Sequence, residues 1–155
     1  MRRAAVIAGV VAAVIPAGAL AQGGYDTDPT REQWVEQADA LCKESNRTTI
    51  PLVKDFFEAG ENGKAVRAGR LLIRASRLFI ALLEDIAEVP RPPADANRIG
   101  KWTDLAMTSN RIFIRAGRAF TDRKVERGNE IYQKGTKITP KLVKLERPFK
   151  FRHCA

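Results

Sequence analysis

The sequence predicts an all-α protein, an antiparallel bundle of about four helices with a C-terminal tail pinned by a disulfide. Three observations support this prediction. Apolar residues recur every three or four positions through most of the chain, and long strand-like alternations are absent. Short segments rich in glycine or proline separate these periodic stretches. The chain also has only two cysteines, Cys42 in the first periodic stretch and Cys154 in the tail.

The N-terminal segment has the pattern of a signal peptide. A basic start, MRR, precedes an uncharged apolar run over residues 4–20, which ends in small residues of the kind that a signal peptidase accepts. The alternative is a permanent anchor, but a spanning helix needs about 20 strongly apolar residues, and this run is rich in alanine and broken by Pro16. We therefore expect residues 1–21 to be a signal peptide and residues 22–155 to form a single exported helical domain.

The first helix has clear start signals. Asp28 followed by Pro29 is typical of an N-cap with proline at the first helical position, and Thr30 with Gln33 offers an overlapping capping box. Its predicted buried face keeps helical spacing: Trp34, Ala38, Leu41, Cys42 and Ser45. Because proline lacks a backbone donor, Pro51 predicts a kink or break near Thr49. The segment GENG at residues 60–63 predicts a turn with a C-cap glycine.

The second helix is the most regular stretch of the sequence and ends at Val89-Pro90. Its apolar face consists of Leu72, Ala75, Phe79, Leu82, Leu83 and Ile86. Four arginines fall on the opposite side: Arg67, Arg70, Arg74 and Arg77.

The segment RPPAD predicts a stiff linker to a third helix. The apolar face of that helix includes Ile99, Trp102, Leu105, Ser109, Phe113, Ala116 and Phe120. A fourth segment, from about Asp122 to Glu146, has weaker periodicity. Gly128, Gly135 and Pro140 are expected to loosen it, because glycine and proline disfavour the helix interior.

The two cysteines predict a single disulfide, since export carries thiols into an oxidising space. The Cys42–Cys154 bond would hold the C-terminal tail on the first helix, with Phe149 and Phe151 turned towards the bundle and the intervening charge towards water. The competing interpretation makes Cys154, beside His153, a reactive or metal-binding residue. One histidine and two cysteines without a carboxylate cluster make a poor ligand set, so we expect no metal and no cofactor.

Three further features occur together: the segment QADALCKESN behind a signal peptide, a PPAD turn in mid-chain, and an aromatic tail that ends one residue past a cysteine. In this combination the chain resembles a loose group of small exported helical two-cysteine proteins of high-GC Gram-positive bacteria. The resemblance spans residues 22–155 and rests on few fixed positions. It implies a helical fold with a Cys42–Cys154 disulfide and implies no catalytic residues, and this chain is more basic than the group.

Catalytic signatures are missing from the sequence. There is no nucleophile elbow, no zinc-protease motif and no glycine-rich phosphate loop, and the lone histidine lies in the tail. The acidic residues Glu84, Asp85 and Glu88 offer general acids or cation ligands in principle, but acids near the end of an exposed helix are most often solvated. We therefore expect a protein that is not an enzyme.

Charge is unevenly distributed along the chain. Residues 22–62 contain 9 acids and 4 bases, a net charge of −5, whereas residues 63–155 contain 9 acids and 21 bases, a net charge of +12. The segment VRAGR at residues 66–70 is echoed by IRAGR at residues 114–118. If these helices are antiparallel neighbours, six arginines come to one end of the bundle, where Gly69 or Gly117 permits close approach. They are Arg67, Arg70, Arg74, Arg111, Arg115 and Arg118.

Two binding hypotheses follow from these patterns. In the first, the protein is a module of the cell envelope whose basic faces bind an anionic polymer or lipid headgroups. The sequence has no specific nucleic-acid motif. The alternative for these arginines is a solvated face partly neutralised by acids such as Glu58 and Glu61. In the second, the bundle carries an apolar small ligand. Its candidate lining is Phe56, Phe57, Phe79, Trp102, Phe113 and Phe120. A purely structural envelope protein is the remaining alternative.

Overall fold

A computed structural model describes residues 28–154, and that part of the chain consists of helices joined by turns and short irregular segments. The helices are α1 (Arg31–Glu61), α2 (Ala65–Glu88), α3 (Ala96–Thr121), α4 (Val125–Thr136) and α5 (Thr139–Glu146), followed by a 3-10 turn at Arg147–Phe149. Consecutive helices pack side by side, α1 on α2, α2 on α3, and α3 on both α4 and α5. The predicted helical bundle is confirmed, while the predicted signal peptide, residues 1–21, lies outside the described residues.

The start of α1 follows the capping box rather than the proline. The Thr30 hydroxyl accepts a hydrogen bond from the Gln33 backbone at 3.3 Å, and the Gln33 side chain accepts one from the Thr30 backbone at 2.8 Å. Two helical donors are thus satisfied reciprocally. Thr30 is the N-cap, so the expectation that Asp28 holds that position is wrong.

Helix α1 continues through Pro51, so of the kink or break expected near Thr49 the break does not occur. The proline ring is exposed to solvent, so it displaces no side chain from the buried face of α1. Thr49 and Leu52, on either side of it, are buried, and the Thr49 hydroxyl donates to the carbonyl of Ser45 at 3.0 Å. Tertiary packing holds the helix together where local sequence disfavours it. After α1 the chain turns at Gly63, whose φ of 66° is the predicted glycine signal.

The predicted fourth segment is two helices, which corrects the expectation of one. Residues 137–138 separate α4 from α5, and Pro140 occupies the first turn of α5, where a missing backbone donor costs nothing. Gly128 and Gly135 both lie inside α4 and are buried. A Cβ atom on Gly128 would collide with the ring of Phe120, and one on Gly135 with the ring of Phe113. These glycines are the surfaces on which aromatic rings of α3 sit.

Helices α2 and α3 approach each other backbone to backbone at a pair of glycines. A Cβ atom on Gly69 would lie 2.5 Å from the carbonyl oxygen of Gly117, and one on Gly117 would lie 2.7 Å from Cγ1 of Ile73. Both glycines are buried. The predicted close approach at Gly69 and Gly117 is therefore confirmed, and it sets the register of the two antiparallel helices.

Two apolar clusters form the core. One lies beneath the tail and contains Trp34, Ile86, Ile99, Trp102 and Phe149, among others. The other lies at the opposite end, around Leu72, Ala116, Phe120 and Ile131. Within residues 28–154, no helix has the length and apolar composition needed to cross a membrane.

Candidate functional site

The tail is bonded covalently to α1. Cys42 and Cys154 form a disulfide with their Cα atoms 5.2 Å apart, across 112 positions of sequence. The predicted pairing is confirmed, and neither cysteine is a free thiol, which removes the alternative of a reactive Cys154. A disulfide is compatible with a location outside the cytoplasm, where thiols are oxidised.

Asp39 is the second anchor of the tail, and sequence reasoning missed it. Its carboxylate accepts hydrogen bonds from the backbone N–H groups of Arg152 at 2.9 Å, His153 at 3.0 Å and Cys154 at 3.3 Å. Hydrogen bonds to an ionised acceptor are stronger than neutral ones. One side chain on α1 therefore satisfies three donors of a segment that belongs to no helix. The only sequence signal is its position, three residues before Cys42.

Two tail aromatics pack on the tryptophans of the bundle. The Phe149 ring lies 5.1 Å from that of Trp34, and the Phe151 ring lies 5.4 Å from that of Trp102. Lys150 between them is exposed, as the alternating pattern predicts. The disulfide, Asp39 and this aromatic stack together hold the tail as a fixed wall of the bundle.

The beginnings of α1 and α3 are joined by an ion pair. Nε of Arg31 lies 2.7 Å and Nη2 2.9 Å from the two carboxylate oxygens of Asp95, whose side chain is only 6% exposed. The hydrogen bond and charge of Asp95 raise the pKa of Arg31 above its ordinary value. Asp95 is the last residue of the PPAD turn, and its role here is structural.

The six arginines lie at one end of the α2–α3 pair, as their sequence positions predict. In each helix an arginine directly follows the glycine of the contact, Arg70 after Gly69 and Arg118 after Gly117. One residue is about 100° of helix rotation. Because the helices run antiparallel, this same rotation about each axis turns both side chains to the same side of the pair. The two glycines face each other, so Arg70 and Arg118 stand level on adjacent helices.

The other four arginines extend these two rows at helical spacing. Arg67 and Arg74 flank Arg70 on α2, and Arg111 and Arg115 continue the row of Arg118 on α3. We call the six together the arginine face. All six side chains are exposed. Within residues 28–154, no carboxylate lies within 4.0 Å of any of them, so the suggested neutralisation by Glu58 and Glu61 does not occur as close ion pairs.

The acidic cluster lies at the far end of α2 from the arginine face. Glu84, Asp85 and Glu88 are all exposed. In the part of the chain that the structure describes, no group of three or more histidine, cysteine or carboxylate side chains is arranged to hold a metal ion.

An apolar cavity lies on the opposite side of α2 from the arginines. Its main chamber has a volume of about 410 Å³ and lies between α1, α2, α3, α5 and the tail. A smaller chamber of about 130 Å³ adjoins it, and Val53, Phe79 and Asn110 line both. Of the six aromatic residues predicted to line such a cavity, Phe79 and Trp102 line the main chamber, while Phe56, Phe57 and Phe113 line the smaller one. Phe120 packs over Gly128 instead.

Comparison with known proteins identifies no relative of this chain: no family model, no curated protein and no solved structure matches it.

Proposed function

We propose that the protein is an exported binding module of the cell envelope whose arginine face holds an anionic polymer or the headgroups of anionic lipids. One observation carries the proposal: six exposed arginines share one side of the α2–α3 pair, and no carboxylate of the described residues lies within 4.0 Å of them. Like charges that share one face repel one another, and an external anion relieves that repulsion.

The chemistry of arginine defines the class of partner. Each guanidinium presents a planar fork of donors that matches phosphate and carboxylate, so rows of arginines suit a repeating anion better than a single small one. Arg70 and Arg118, level on adjacent helices, offer two such forks to one segment of polymer or to neighbouring headgroups. The sequence contains no motif for reading nucleic-acid bases, which favours a partner recognised by charge alone.

The test is co-sedimentation with vesicles of anionic lipid and, separately, with a phosphate-rich polymer, from low to physiological salt. The variant changes four arginines to glutamate: Arg70, Arg74, Arg115 and Arg118. Its control makes the same change of charge on α4, α5 and their flanking turns, at four exposed lysines: Lys124, Lys134, Lys137 and Lys141.

A dedicated face predicts that wild-type binding falls steeply with salt, that the arginine variant loses most of it, and that the lysine variant keeps more than the arginine variant. Equal losses in the two variants would mean that net charge alone attracts the anion. Unchanged binding in the arginine variant would leave these residues as a solvated surface.

A further inference from the structure

We infer that the two-chamber cavity is a binding site for an aliphatic chain, the acyl chain of a lipid or fatty acid, with the polar end of the ligand beside the tail. The site is separate from the arginine face. Leu82, Leu83 and Ile86 line it from the side of α2 opposite Arg70 and Arg74. Binding here and anion binding there can therefore succeed or fail independently.

The size and lining of the cavity fit a small apolar ligand. The main chamber, at about 410 Å³, falls within the range of roughly 300 to 1,000 Å³ typical of ligand sites. Its walls are mainly aliphatic and aromatic, and three of its four polar side chains lie at the tail end. Asn110, the amide in the middle of the site, donates one of its two side-chain N–H groups to the Ala106 carbonyl at 3.0 Å, within α3. Because the lining is mainly apolar, a ligand without polar groups along its length fits the interior.

The shape of the site favours a chain over a compact molecule. The chambers run along α1 from Cys42 to Phe57, a span of about 22 Å at 1.5 Å per residue. One leaflet of a bilayer, about half of its 30 Å hydrocarbon core, is filled by acyl chains roughly 15 Å long. Such a chain fits within the length of the site.

A peptide helix of two turns is larger than the main chamber. Two turns of helix, about 10 Å across with a 5.4 Å pitch, occupy roughly 850 Å³, about twice the main chamber. The proposed occupant is therefore a chain molecule rather than a helix of a second protein.

The rim of the site exposes apolar surface that a ligand would cover. Ile50 is 61% exposed and Phe57 is 51% exposed, and both line the chambers from α1. They lie seven positions apart and so share one face of the helix. A ligand in the chambers would remove both side chains from water.

The tail end of the site is its polar end. Asn46, Glu146 and His153 line the main chamber there, and the Asn46 side chain donates to the His153 carbonyl at 2.8 Å. Cys154 also lines this end, so the disulfide holds one wall of the site in place. A polar headgroup meets these side chains and solvent, while its chain extends towards the aromatic residues of the smaller chamber.

The experiment titrates the oxidised protein with cis-parinaric acid, an intrinsically fluorescent fatty acid. Val53, which lines both chambers, becomes phenylalanine (Val53→Phe) to fill the space where they adjoin. Its matched control is Val143→Phe, at an α5 side chain that is 50% exposed and outside the lining. Ile50→Lys places a charge on the rim at a side chain that is 61% exposed.

We expect saturable binding by the wild type and by Val143→Phe. Val53→Phe and Ile50→Lys should each weaken it roughly tenfold, the loss expected when two methylene groups leave an apolar site. The variant with four arginines changed to glutamate should bind cis-parinaric acid as the wild type does. Binding that survives both cavity variants, binding that the arginine reversal abolishes, or no saturable binding at all overturns the proposal, and none of these outcomes alters the vesicle and polymer results for the arginine face.

Discussion

The backbone of Gly69 lies against the backbone of Gly117, so closely that a Cβ atom on the first would stand 2.5 Å from the carbonyl oxygen of the second. This contact brings the RAGR segments of α2 and α3 together. Because an arginine follows each glycine, the same contact sets the two rows of the arginine face side by side. Packing inside the bundle thus determines the charge pattern outside it.

Substituting Gly69 should reveal this contact. Gly69→Ala places a methyl group against backbone atoms that cannot move cheaply, and overpacking of this kind costs about 1 to 3 kcal/mol. Gly60→Ala is the control, since Gly60 lies in α1 with nothing within 4 Å of its added Cβ. There, alanine should stabilise the protein by about 0.5 to 1 kcal/mol. Denaturant unfolding measures both, and the same sign for the two changes would contradict the packing.

The disulfide should contribute strongly to stability. Closing a loop across 112 positions lowers the entropy of the unfolded chain by the equivalent of about 4 to 5 kcal/mol. We expect the double variant Cys42→Ser with Cys154→Ser to lose that stability and to become sensitive to proteolysis at the tail. Reduced wild-type protein serves as the comparison and should behave like the variant. If the double variant unfolds at the same midpoint as the oxidised wild type, the bond adds no stability to a tail that is ordered without it.

Asp39 should hold the tail independently of the disulfide. Asp39→Ala removes the acceptor of three backbone donors, and we expect a loss of about 1 to 2 kcal/mol, because those donors are near solvent and regain water. The disulfide of this variant should also be reduced faster by dithiothreitol. Glu36→Ala, at an exposed acid on the same helix, is matched in charge and should change neither quantity. Equal effects of the two substitutions would point to net charge instead of hydrogen bonding.

Tyr132 should make the protein less stable at alkaline pH. Burial among Phe56 and Phe113 raises the pKa of its phenol, so the folded protein keeps a proton that the unfolded chain releases near pH 10. The folding free energy from this group is therefore fully present below about pH 10 and is lost as pH rises towards the folded pKa. The stability of Tyr132→Phe should therefore fall less steeply than that of the wild type as pH rises above about 10. Melting temperatures measured across that pH range check this. Parallel curves of melting temperature against pH would contradict a phenol that is half-buried in the fold.

Local sequence determined much of this protein. The helical periodicity of residues 31–121, the capping box at Thr30 and the turn at Gly63 depend on neighbouring residues, so each was predictable from the chain alone. The prediction of the disulfide required only the number of cysteines. The prediction that the arginine rows share one end required only that α2 and α3 run antiparallel. Such features involve few residues or a single topological assumption.

Tertiary structure decided the rest, because it depends on contacts between residues distant in sequence. The burial of Thr49 and Leu52 keeps α1 whole across Pro51, although local chemistry disfavours it. The rings of Phe113 and Phe120 pack directly on the glycines of α4, which the sequence alone marks only as weak helix formers. The role of Asp39 and the apolar cavity arise where α1 meets the tail more than a hundred positions later. The periodicity of the sequence does not predict contacts of this kind, because they depend on the free energy of the whole folded chain.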